Sequence, residues 1–313
     1  MKISFLMAAH NEDKIIRKPL DNFKRLYAMD KDLEFLIGLD GCTDKTLSII
    51  KEYKFVKVYE FKGRNGKPFV INNLIKKSKC EILIIHDADW IFKVEDKNKL
   101  MELKNEFKDK KIGGIAESFP IEYVPEIIDK IKSLGHLGSL WGNYFWMEYL
   151  KKHNTSRKNN RLYAKISRGS FPFLTNIFRK KLYNKNVTLG DDFERTLDII
   201  NKGYNILVKE DETFPRMIAA YEKTRFNDVL KQKERTALAR DQVFKKYNIS
   251  INLFNFYLPL LLHSLRNINK IKNLKGKIAF FAWLFVFSFG TLKNKLKFKK
   301  KSTKEGWLMR AKR

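Results

Sequence analysis

Two carboxylates that stand two residues apart, Asp87 and Asp89, follow an apolar run at residues 82–85, with only His86 between the run and Asp87. In an extended chain, residues i and i+2 point to the same side, so both carboxylates can reach one site. Mg²⁺ and Mn²⁺ prefer oxygen ligands and are commonly held by one or two carboxylates together with substrate phosphates. The pair therefore predicts a site for a divalent cation that carries a diphosphate, although an Asp-x-Asp pair alone is also common by chance.

A second acidic group consists of Asp191, Asp192 and Glu194, and it opens a helical pattern that ends near residue 203. Carboxylates in the first turn of a helix are favoured by the helix dipole, which is a purely structural explanation. Alternatively, two adjacent acids beside a cation and phosphate site raise the pKa of one carboxyl toward neutrality. That carboxyl could then act as a general base.

A third group of polar residues lies on a later amphipathic helical pattern. Gln232 and Arg235 are three residues apart and therefore share one face of the helix. An arginine in that position could hold phosphate oxygens through two parallel hydrogen bonds. The pair is weak support for a phosphate site when it is taken alone.

The scaffold that would position these residues is a parallel sheet covered by helices on both faces. Continuous apolar runs alternate with helical patterns through the first half of the chain, as is typical of parallel strands. In such sheets, ligands bind beyond the carboxyl ends of the strands. The predicted strands are residues 3–9, 33–39, 56–61, 82–85 and 112–116. The predicted helices are residues 15–26, 69–77 and 96–107, with one more that Thr43 or Asp44 caps and that ends at residue 53.

Polar turns follow three of the predicted strands, at residues 10–12, 40–46 and 87–89. A basic protein that gathers carboxylates at one rim of a sheet is expected to hold a cation there. A turn with Gly63, Gly66 and Lys67 precedes a predicted helix, where the amine could meet a phosphate; an ordinary surface turn is the alternative. The sequence contains neither a Walker phosphate loop nor a dinucleotide fingerprint.

Composition limits the class of protein. Of 313 residues, 44% are hydrophobic, which is enough to bury a core and excludes global disorder. The net charge of +29 predicts a polyanionic partner, namely nucleic acid, an anionic membrane surface or a phosphorylated substrate. No zinc-finger, RRM or helix-turn-helix pattern supports nucleic acid. The cysteines Cys42 and Cys80 exclude a disulfide framework and a cysteine-rich zinc site, and the N-terminus lacks a signal-peptide pattern, so we expect a cytosolic catalytic portion.

The C-terminal region combines positive charge with apolar segments. Residues 266–313 contain 15 basic residues and one acidic residue, Glu305, and two apolar segments occupy residues 249–265 and 278–292. Neither segment reaches the roughly 20 residues that a spanning helix needs. Flanking lysines favour an anionic membrane surface, so we expect two in-plane or re-entrant helices. Buried helices of a C-terminal subdomain and a two-pass hairpin are the alternatives.

Six short motifs, taken in order, resemble those of the family 2 glycosyltransferases with the GT-A fold. They are AAHNE at residues 8–12, DGCTDKT at 40–46, Gly66-Lys67 through Asn72, HDADW at 86–90, LGDDFE at 189–194 and QKERT at 232–236. The resemblance covers residues 1–240. Thr236 stands where processive members of the family carry a tryptophan, so the resemblance does not indicate a processive synthase.

The resemblance implies a role for each matching residue. Glu12 and Asp40 would contact the nucleoside, and Lys67 would lie near the base or the diphosphate. Asp89 would ligate the metal, and Asp87 would touch the ribose or the water shell of the metal. Asp192 would deprotonate the acceptor hydroxyl, with Asp191 beside it. Gln232 and Arg235 would hold the diphosphate or the acceptor.

The implied protein has an α/β fold of GT-A type, Rossmann-like, with a mainly parallel sheet and flanking helices. Residues 1–240 would form this domain, divided into a nucleotide-binding half at 1–117 and an acceptor half at 118–240. Residues 241–313 would form a basic, helical, membrane-associating region.

The implied activity is inverting glycosyl transfer that depends on Mn²⁺ or Mg²⁺, from a nucleotide-diphospho sugar, UDP in preference to GDP. The acceptor would be a saccharide or lipid presented at the cytoplasmic face of a membrane. Three alternatives remain open from the sequence, namely a polyprenyl-phosphate glycosyltransferase, a binding protein that has lost catalysis and a nucleotidyltransferase. A DNA-binding protein is disfavoured because of the acidic rim of the sheet.

Overall fold

The apolar runs of the first half form a parallel block of four strands in the computed structural model. The structure describes residues 1–116, 133–166, 173–185, 188–211, 213–219, 226–250 and 253–296. The strands are β1 (Ile3–Ala9), β2 (Glu34–Asp40), β3 (Val56–Phe61) and β4 (Ile82–Asp87), in the order β3–β2–β1–β4. In this block Phe5 pairs with Phe35 on one side and with Ile84 on the other.

A short antiparallel strand joins this block to the rest of the sheet. It is β9 (Ile177–Arg179), which lies between β4 and β6 (Ile112–Ala116). Beyond β6 follow β10 (Asn205–Val208), β8 (Arg161–Ala164) and β7 (Thr155–Lys158), of which β10 is parallel to β6. A separate two-stranded sheet pairs β5 (Trp90–Lys93) with β11 (Arg216–Ala219).

Most helices among the described residues flank the sheet, and the C-terminal ones pack against other helices. In order they are α1 (Arg17–Met29), α2 (Thr46–Lys51), α3 (Lys67–Lys77), α4 (Lys97–Glu106), α5 (Leu134–His153), α6 (Asp191–Asn201), α7 (Phe226–Tyr247), α8 (Leu258–Arg266) and α9 (Leu274–Leu296). All four helices predicted in the first half are present, with ends shifted by a few residues. The expected mainly parallel α/β sheet is confirmed.

The core has two layers, one on each face of the sheet, because successive strand residues point to opposite faces. Phe5 and Met7 of β1 are fully buried on the face covered by α1 and α4, where they meet Phe23. Leu6 points the other way and packs against Val70 of α3. Each fully buried aromatic or aliphatic side chain contributes about 1.5–3 kcal/mol relative to exposure.

The C-terminal helix α9 packs against α5 and α7. Phe145 of α5 meets Phe280 of α9 with ring centroids 5.1 Å apart. The helices approach so closely that a Cβ at Gly142 would lie 2.5 Å from the ring of Trp283. From α7, the Lys233 ammonium lies 4.9 Å from the Trp283 ring centroid. One face of α9 is therefore buried, as the buried-helix alternative expects.

The opposite face of α9, which we call the outer face, consists of exposed apolar side chains. Its members are Leu274, Ile278, Phe281, Phe285 and Phe289, which recur every three or four residues and so share one side of the helix. None of the helices in the described part of the chain is both long enough and apolar enough to cross a membrane.

Candidate active site

The turns that follow β1 and β2 are bonded to each other. The Glu12 amide donates to the Thr46 hydroxyl at 2.8 Å, and the Thr43 amide donates to the Asn11 side-chain oxygen at 2.8 Å. Gly41 has a φ of +63°, and a Cβ at this position would lie 2.6 Å from the Gly63 carbonyl oxygen. A larger residue is excluded there, so the glycine lets two turns meet at the rim of the sheet.

Asp40, the last residue of β2, is almost fully buried and organises the turn before α3. Its carboxylate accepts hydrogen bonds from the amides of Asn65 at 2.8 Å and Gly66 at 2.7 Å. Because Lys67 is the first residue of α3 and directly follows Gly66, these bonds fix the position of the Lys67 backbone. The nucleoside contacts predicted for Asp40 and for the buried Glu12 stay predictions.

The backbone around Asp87 and Asp89 differs from the sequence-based expectation. Asp87 is the last residue of β4, whereas Ala88 and Asp89 form a turn. The extended conformation ends at Asp87, so the expected strand alternation does not extend to Asp89. That both carboxylates reach one site stays a prediction. The Asp87 side chain is 46% exposed, and Asp89 is buried.

Lys67 brings acids from two distant parts of the chain together. Its ammonium nitrogen lies 2.8 Å from Oδ1 of Asp87 and 3.9 Å from Oδ1 of Asp191. Burial alone lowers the pKa of Lys67, but the attraction of Asp191 and Asp87 outweighs it and raises the pKa above its ordinary value. Lys67 is therefore a fixed positive charge at the strand ends.

The two adjacent acids at the start of α6 have pKa values shifted in opposite directions. Burial opposes ionisation of Asp191, but Lys67 and Arg195 outweigh it and lower the pKa of this carboxyl. Burial and the negative charge of Asp191 raise the pKa of Asp192 to about 6. A carboxyl with that pKa is suited to accept a proton near neutral pH.

Glu194 and three residues that the sequence did not single out, Thr188, Gln242 and Lys246, hold the start of α6. The buried Glu194 carboxylate accepts from the amide and hydroxyl of Thr188, at 3.1 and 2.7 Å, and forms an ion pair with Lys246 of α7. Gln242 of α7 accepts from the Leu189 amide at 2.9 Å. These contacts fix the start of α6, with residues 188–194 (the acidic turn), against α7. The contacts with Gln242 and Lys246 join residues about 50 positions apart, so no sequence spacing predicts them.

Gln232 and Arg235 lie near the middle of α7, and both are half-buried. Further along the same helix, Ala239 and Val243 border Gly190, the residue before α6. The helix that carries the pair thus also packs on the start of α6. Contacts of Gln232 and Arg235 with a diphosphate or an acceptor stay predictions.

The residues fit a divalent cation only in partnership with a diphosphate. Within the residues that the structure describes, no group of three or more His, Cys, Asp or Glu side chains could hold a metal ion by itself. Two carboxylates at a strand end match a hard cation that completes its shell with phosphate oxygens and water. Asp87 and Asp89 are the carboxylates at the end of β4 that would hold such a cation, and the Lys67 ammonium lies 2.8 Å from Asp87.

The fold is that of the GT-A glycosyltransferases. It is similar to the structure of the mannosyltransferase PcManGT from Pyrobaculum calidifontis, solved in complex with GDP-Man and Mn²⁺, with a TM-score of 0.54 and 16% identity over 98% of this chain and 85% of that one. At this identity the similarity shows the fold alone. Residues 4–179 match the model of glycosyl transferase family 2, and since this is more than half of the sequence, the chain belongs to that family.

Two relatives are similar over most of this chain. One is the probable glycosyltransferase YdaM of Bacillus subtilis (strain 168), 25% identical over 66% of this chain and 48% of its own length. The other is the dolichyl N-acetyl-alpha-D-glucosaminyl phosphate 3-beta-D-2,3-diacetamido-2,3-dideoxy-beta-D-glucuronosyltransferase of Methanococcus voltae, 27% identical over 70% of this chain and 66% of its own. The chain thus spans about half of the first relative and about two thirds of the second.

Proposed function

We propose that this protein transfers a sugar, with inversion, from a nucleotide-diphospho sugar to a hydroxyl of a membrane-presented acceptor such as a lipid-linked saccharide. The observation that carries the proposal is the meeting of Lys67, Asp87 and the Asp191–Asp192 pair at the strand ends of a family 2 chain. We propose a UDP-sugar in preference to a GDP-sugar as the donor.

The proposed reaction is a single displacement at the anomeric carbon. Asp192 accepts the proton of the acceptor hydroxyl, the acceptor oxygen forms the new bond to the anomeric carbon, and the bond to the diphosphate oxygen breaks with its electron pair leaving on the nucleoside diphosphate. Asp191, held ionised by Lys67 and Arg195, is not the proton acceptor. The Lys67 ammonium lies where it can stabilise the charge of the leaving group.

A divalent cation, Mn²⁺ or Mg²⁺, would be held by Asp87 and Asp89 together with the diphosphate. When bound, it would supply neutralisation of the negative charge that develops on the diphosphate. Lys67 stays within contact distance of Asp87 and would share the same phosphate oxygens.

The nature of the acceptor is supported by a relative and by one surface of the molecule. The Methanococcus voltae relative is named for a lipid-linked sugar phosphate. The outer face of α9 exposes five large apolar side chains, and Lys272, Lys275 and Lys277 flank its start. An apolar helix face bordered by lysines suits the surface of an anionic bilayer. We therefore propose that the protein lies on the cytoplasmic face of a membrane, where its acceptor is presented.

The donor site is tested by ligand-induced stabilisation of the full chain. UDP, GDP, CMP and ATP are each added with and without Mn²⁺, and the melting temperature is recorded for the wild type and for Asp87→Asn. A ligand at 100 times its Kd stabilises by about 2.7 kcal/mol. We expect UDP with Mn²⁺ to give the largest shift and Asp87→Asn to abolish it.

A matched control is available in Asp211→Asn. Asp211 is 44% exposed and lies 3.0 Å from Lys99, much as Asp87 is 46% exposed and lies 2.8 Å from Lys67. The control variant should keep the full ligand-induced shift. If no nucleoside diphosphate stabilises the wild type, or if both variants respond alike, the proposed donor site is wrong.

The acceptor is tested by offering two lipids that differ in one group. One is a polyprenyl phosphate, and the other is a polyprenyl phosphate that already carries N-acetylglucosamine. Transfer to the second lipid alone supports a hydroxyl acceptor. Transfer to the first would give a phosphodiester-linked sugar that mild acid releases, and it would favour the polyprenyl-phosphate alternative.

A further inference from the structure

Arg195 is the largest of the fully buried side chains among the described residues. It lies on α6, four residues after Asp191, and is bonded to that acid. Its Nε donates to the Thr175 carbonyl oxygen at 2.8 Å, its Nη2 to the Asn176 side-chain oxygen at 2.7 Å and its Nη1 to Oδ2 of Asp191 at 2.9 Å. A buried guanidinium is tolerated only when its donors are satisfied and its charge is paired. Each of its three nitrogens has a described acceptor, so the side chain is held in one orientation.

The groups that hold Arg195 belong to the same scaffold as Asp87. Asn176 precedes β9, and its carbonyl oxygen accepts from the Ile85 amide at 2.9 Å, two residues before the end of β4. The guanidinium also lies 5.4 Å from the ring of Phe178 in β9. Arg195 thereby connects the start of α6 to the strand that ends in Asp87, across the centre of the sheet.

Charges alternate from Arg195 toward the strand ends. Arg195 bonds to one oxygen of Asp191, Lys67 faces the other oxygen at 3.9 Å, and Lys67 bonds to Asp87 at 2.8 Å. Asp191 is thus clamped between two cations, and Asp192 lies next to it in the chain. The charged groups that act on the pair are Arg195 from α6 itself, Lys67 from α3 and Asp87 from β4.

We propose that Arg195 is a positioning residue for glycosyl transfer, which holds Asp191 as a permanent anion that fixes the Lys67 ammonium beside the donor diphosphate and leaves Asp192 to accept the proton. This inference rests on the proposed function. The family resemblance assigned no role to residue 195.

Removal of one charge near the acidic pair should shift the pKa of Asp192 in a direction set by the sign of that charge. The two carboxyls titrate together, so removal of a cation close to both raises both apparent pKa values. Arg195→Met removes both the charge and the hydrogen bonds. Arg195→Lys keeps the charge but cannot make all three hydrogen bonds of the guanidinium. Asp191→Asn removes the anion next to Asp192 and should move the pKa of Asp192 in the opposite direction, downward.

The experiment follows the carboxyl carbons of aspartate by ¹³C NMR during a pH titration of the full chain, with Asp192→Asn to assign the signal of Asp192. We expect Arg195→Met to raise the pKa of Asp192 by about one unit and Asp191→Asn to lower it. Arg195→Lys should leave this pKa within about 0.3 units of the wild type. Release of nucleoside diphosphate from the donor sugar is measured in parallel; in Arg195→Met it should fall about fivefold at pH 6 and little at pH 8 through loss of ionised Asp192.

The control for a merely structural role is Arg179→Met. Arg179 also uses its guanidinium on backbone groups, donating to the carbonyl oxygens of Ile112 at 2.7 Å and Asp109 at 2.9 Å. Its loss should lower the melting temperature without moving the titration of Asp192. The proposal is overturned if Arg195→Met leaves the titration of Asp192 unchanged. If Arg195→Met does not fold, an unchanged titration of Asp192 in Asp191→Asn overturns it instead. Because the titration needs no donor, an inactive wild type would refute the proposed function separately.

Discussion

The ammonium of Lys67 lies 2.8 Å from Oδ1 of Asp87, so the first residue of α3 is paired with the last residue of β4. The same ammonium lies 3.9 Å from Asp191 at the start of α6. One amine of α3 therefore stands between acids from two other elements, β4 and α6, that are distant in sequence. A diphosphate that enters this site meets a positive charge that is already in place, and little reorganisation is needed to bind it.

Lys67→Met should weaken binding of a nucleoside diphosphate by about tenfold or more, because a charge-assisted hydrogen bond to phosphate contributes about 1.5–3 kcal/mol. Isothermal titration calorimetry with UDP and with GDP measures the change. Lys104→Met is the matched control, since Lys104 is a comparably buried lysine paired with an acid, Asp30, outside the site. The control should lose thermal stability and keep the dissociation constant. Equal affinities in the wild type and Lys67→Met would refute the role of this amine.

Asp192→Asn should stabilise the protein above pH 6 and have little effect below pH 4. The pKa of Asp192 is about 6 in the folded state, against an ordinary value of 3.8. Ionisation therefore disfavours the folded state, and this penalty grows as the pH rises from 4 to 6 and is complete above 6. The difference between these pKa values corresponds to about 3 kcal/mol, which solvent screening of this half-buried group reduces to about 2 kcal/mol. Thermal unfolding of both proteins between pH 4 and pH 8 measures the difference.

Asp211→Asn should show the opposite sign in the same measurements. Bonds from the Thr213 amide and hydroxyl and from Lys99 lower the pKa of Asp211 to about 2. Its ionised form therefore stabilises the folded state above pH 4, and this contribution is lost as the pH falls toward 2. The variant should be less stable than the wild type at pH 7. If both variants changed stability in the same direction at pH 7, the environment assigned to Asp192 would be wrong.

Much of the nucleotide-binding half could be predicted from local patterns. Local patterns identify β1, β3 and β6 with the observed bounds. For β1 and β6 the pattern is a continuous apolar run, because burial on both faces of a sheet leaves a signal that needs no tertiary context. The strand-end rule then selects Asp40 and Asp87 as rim residues. The error at Asp89 arose because a strand pattern does not say at which residue the backbone turns.

The residues that hold the acids could not be found in this way. Lys246 and Gln242 bond to the acidic turn from another helix, and such pairings exist only after the helices pack. Asn176 is likewise an ordinary loop residue until β9 enters the sheet. Arg195 is a partial exception, since its position four residues after Asp191 is the spacing of a helical ion pair. The burial of this pair, which removes the solvent that would otherwise screen its charges, cannot be predicted from the sequence.

The outer face of α9 predicts binding to anionic bilayers. Sedimentation with vesicles of phosphatidylglycerol should carry the full chain down, and vesicles of phosphatidylcholine should carry less. The double variant Phe281→Ser and Phe285→Ser should lose most of this binding, because each exposed phenylalanine that enters the interface contributes about 1.5–3 kcal/mol.

Exposed apolar residues elsewhere provide the control for this surface. Phe69 and Met101 are 43% and 41% exposed on α3 and α4, comparable with the 48% of Phe281. The double variant Phe69→Ser and Met101→Ser should sediment with phosphatidylglycerol vesicles as the wild type does. If the two double variants bind equally well, the outer face of α9 is not the membrane-binding surface.

Gly142→Ala should destabilise the junction of α5 and α9. Alanine is the better helix former by about 1 kcal/mol, but its Cβ would lie 2.5 Å from the Trp283 ring. Overpacking of this kind costs about 1–3 kcal/mol and forces the helices apart. Ser139→Ala, on the same helix, adds no bulk and serves as the control. A melting temperature at or above that of the wild type in Gly142→Ala would show that α9 is not packed in this way.

The position of β9 has a consequence for the order in which the chain folds during synthesis. The first four strands of the sheet lie within the first 87 residues and pair with one another, so this block can form as soon as it leaves the ribosome. By contrast, both neighbours of β6, namely β9 and β10, are made later than β6 itself. Ile177 pairs with Ile84 on one side and Ile115 on the other, so three residues close both open edges at once. Until β9 and β10 emerge, one edge of β4 and both edges of β6 lack the strands that pair with them, and these edges are the sites where a stalled or truncated product would aggregate.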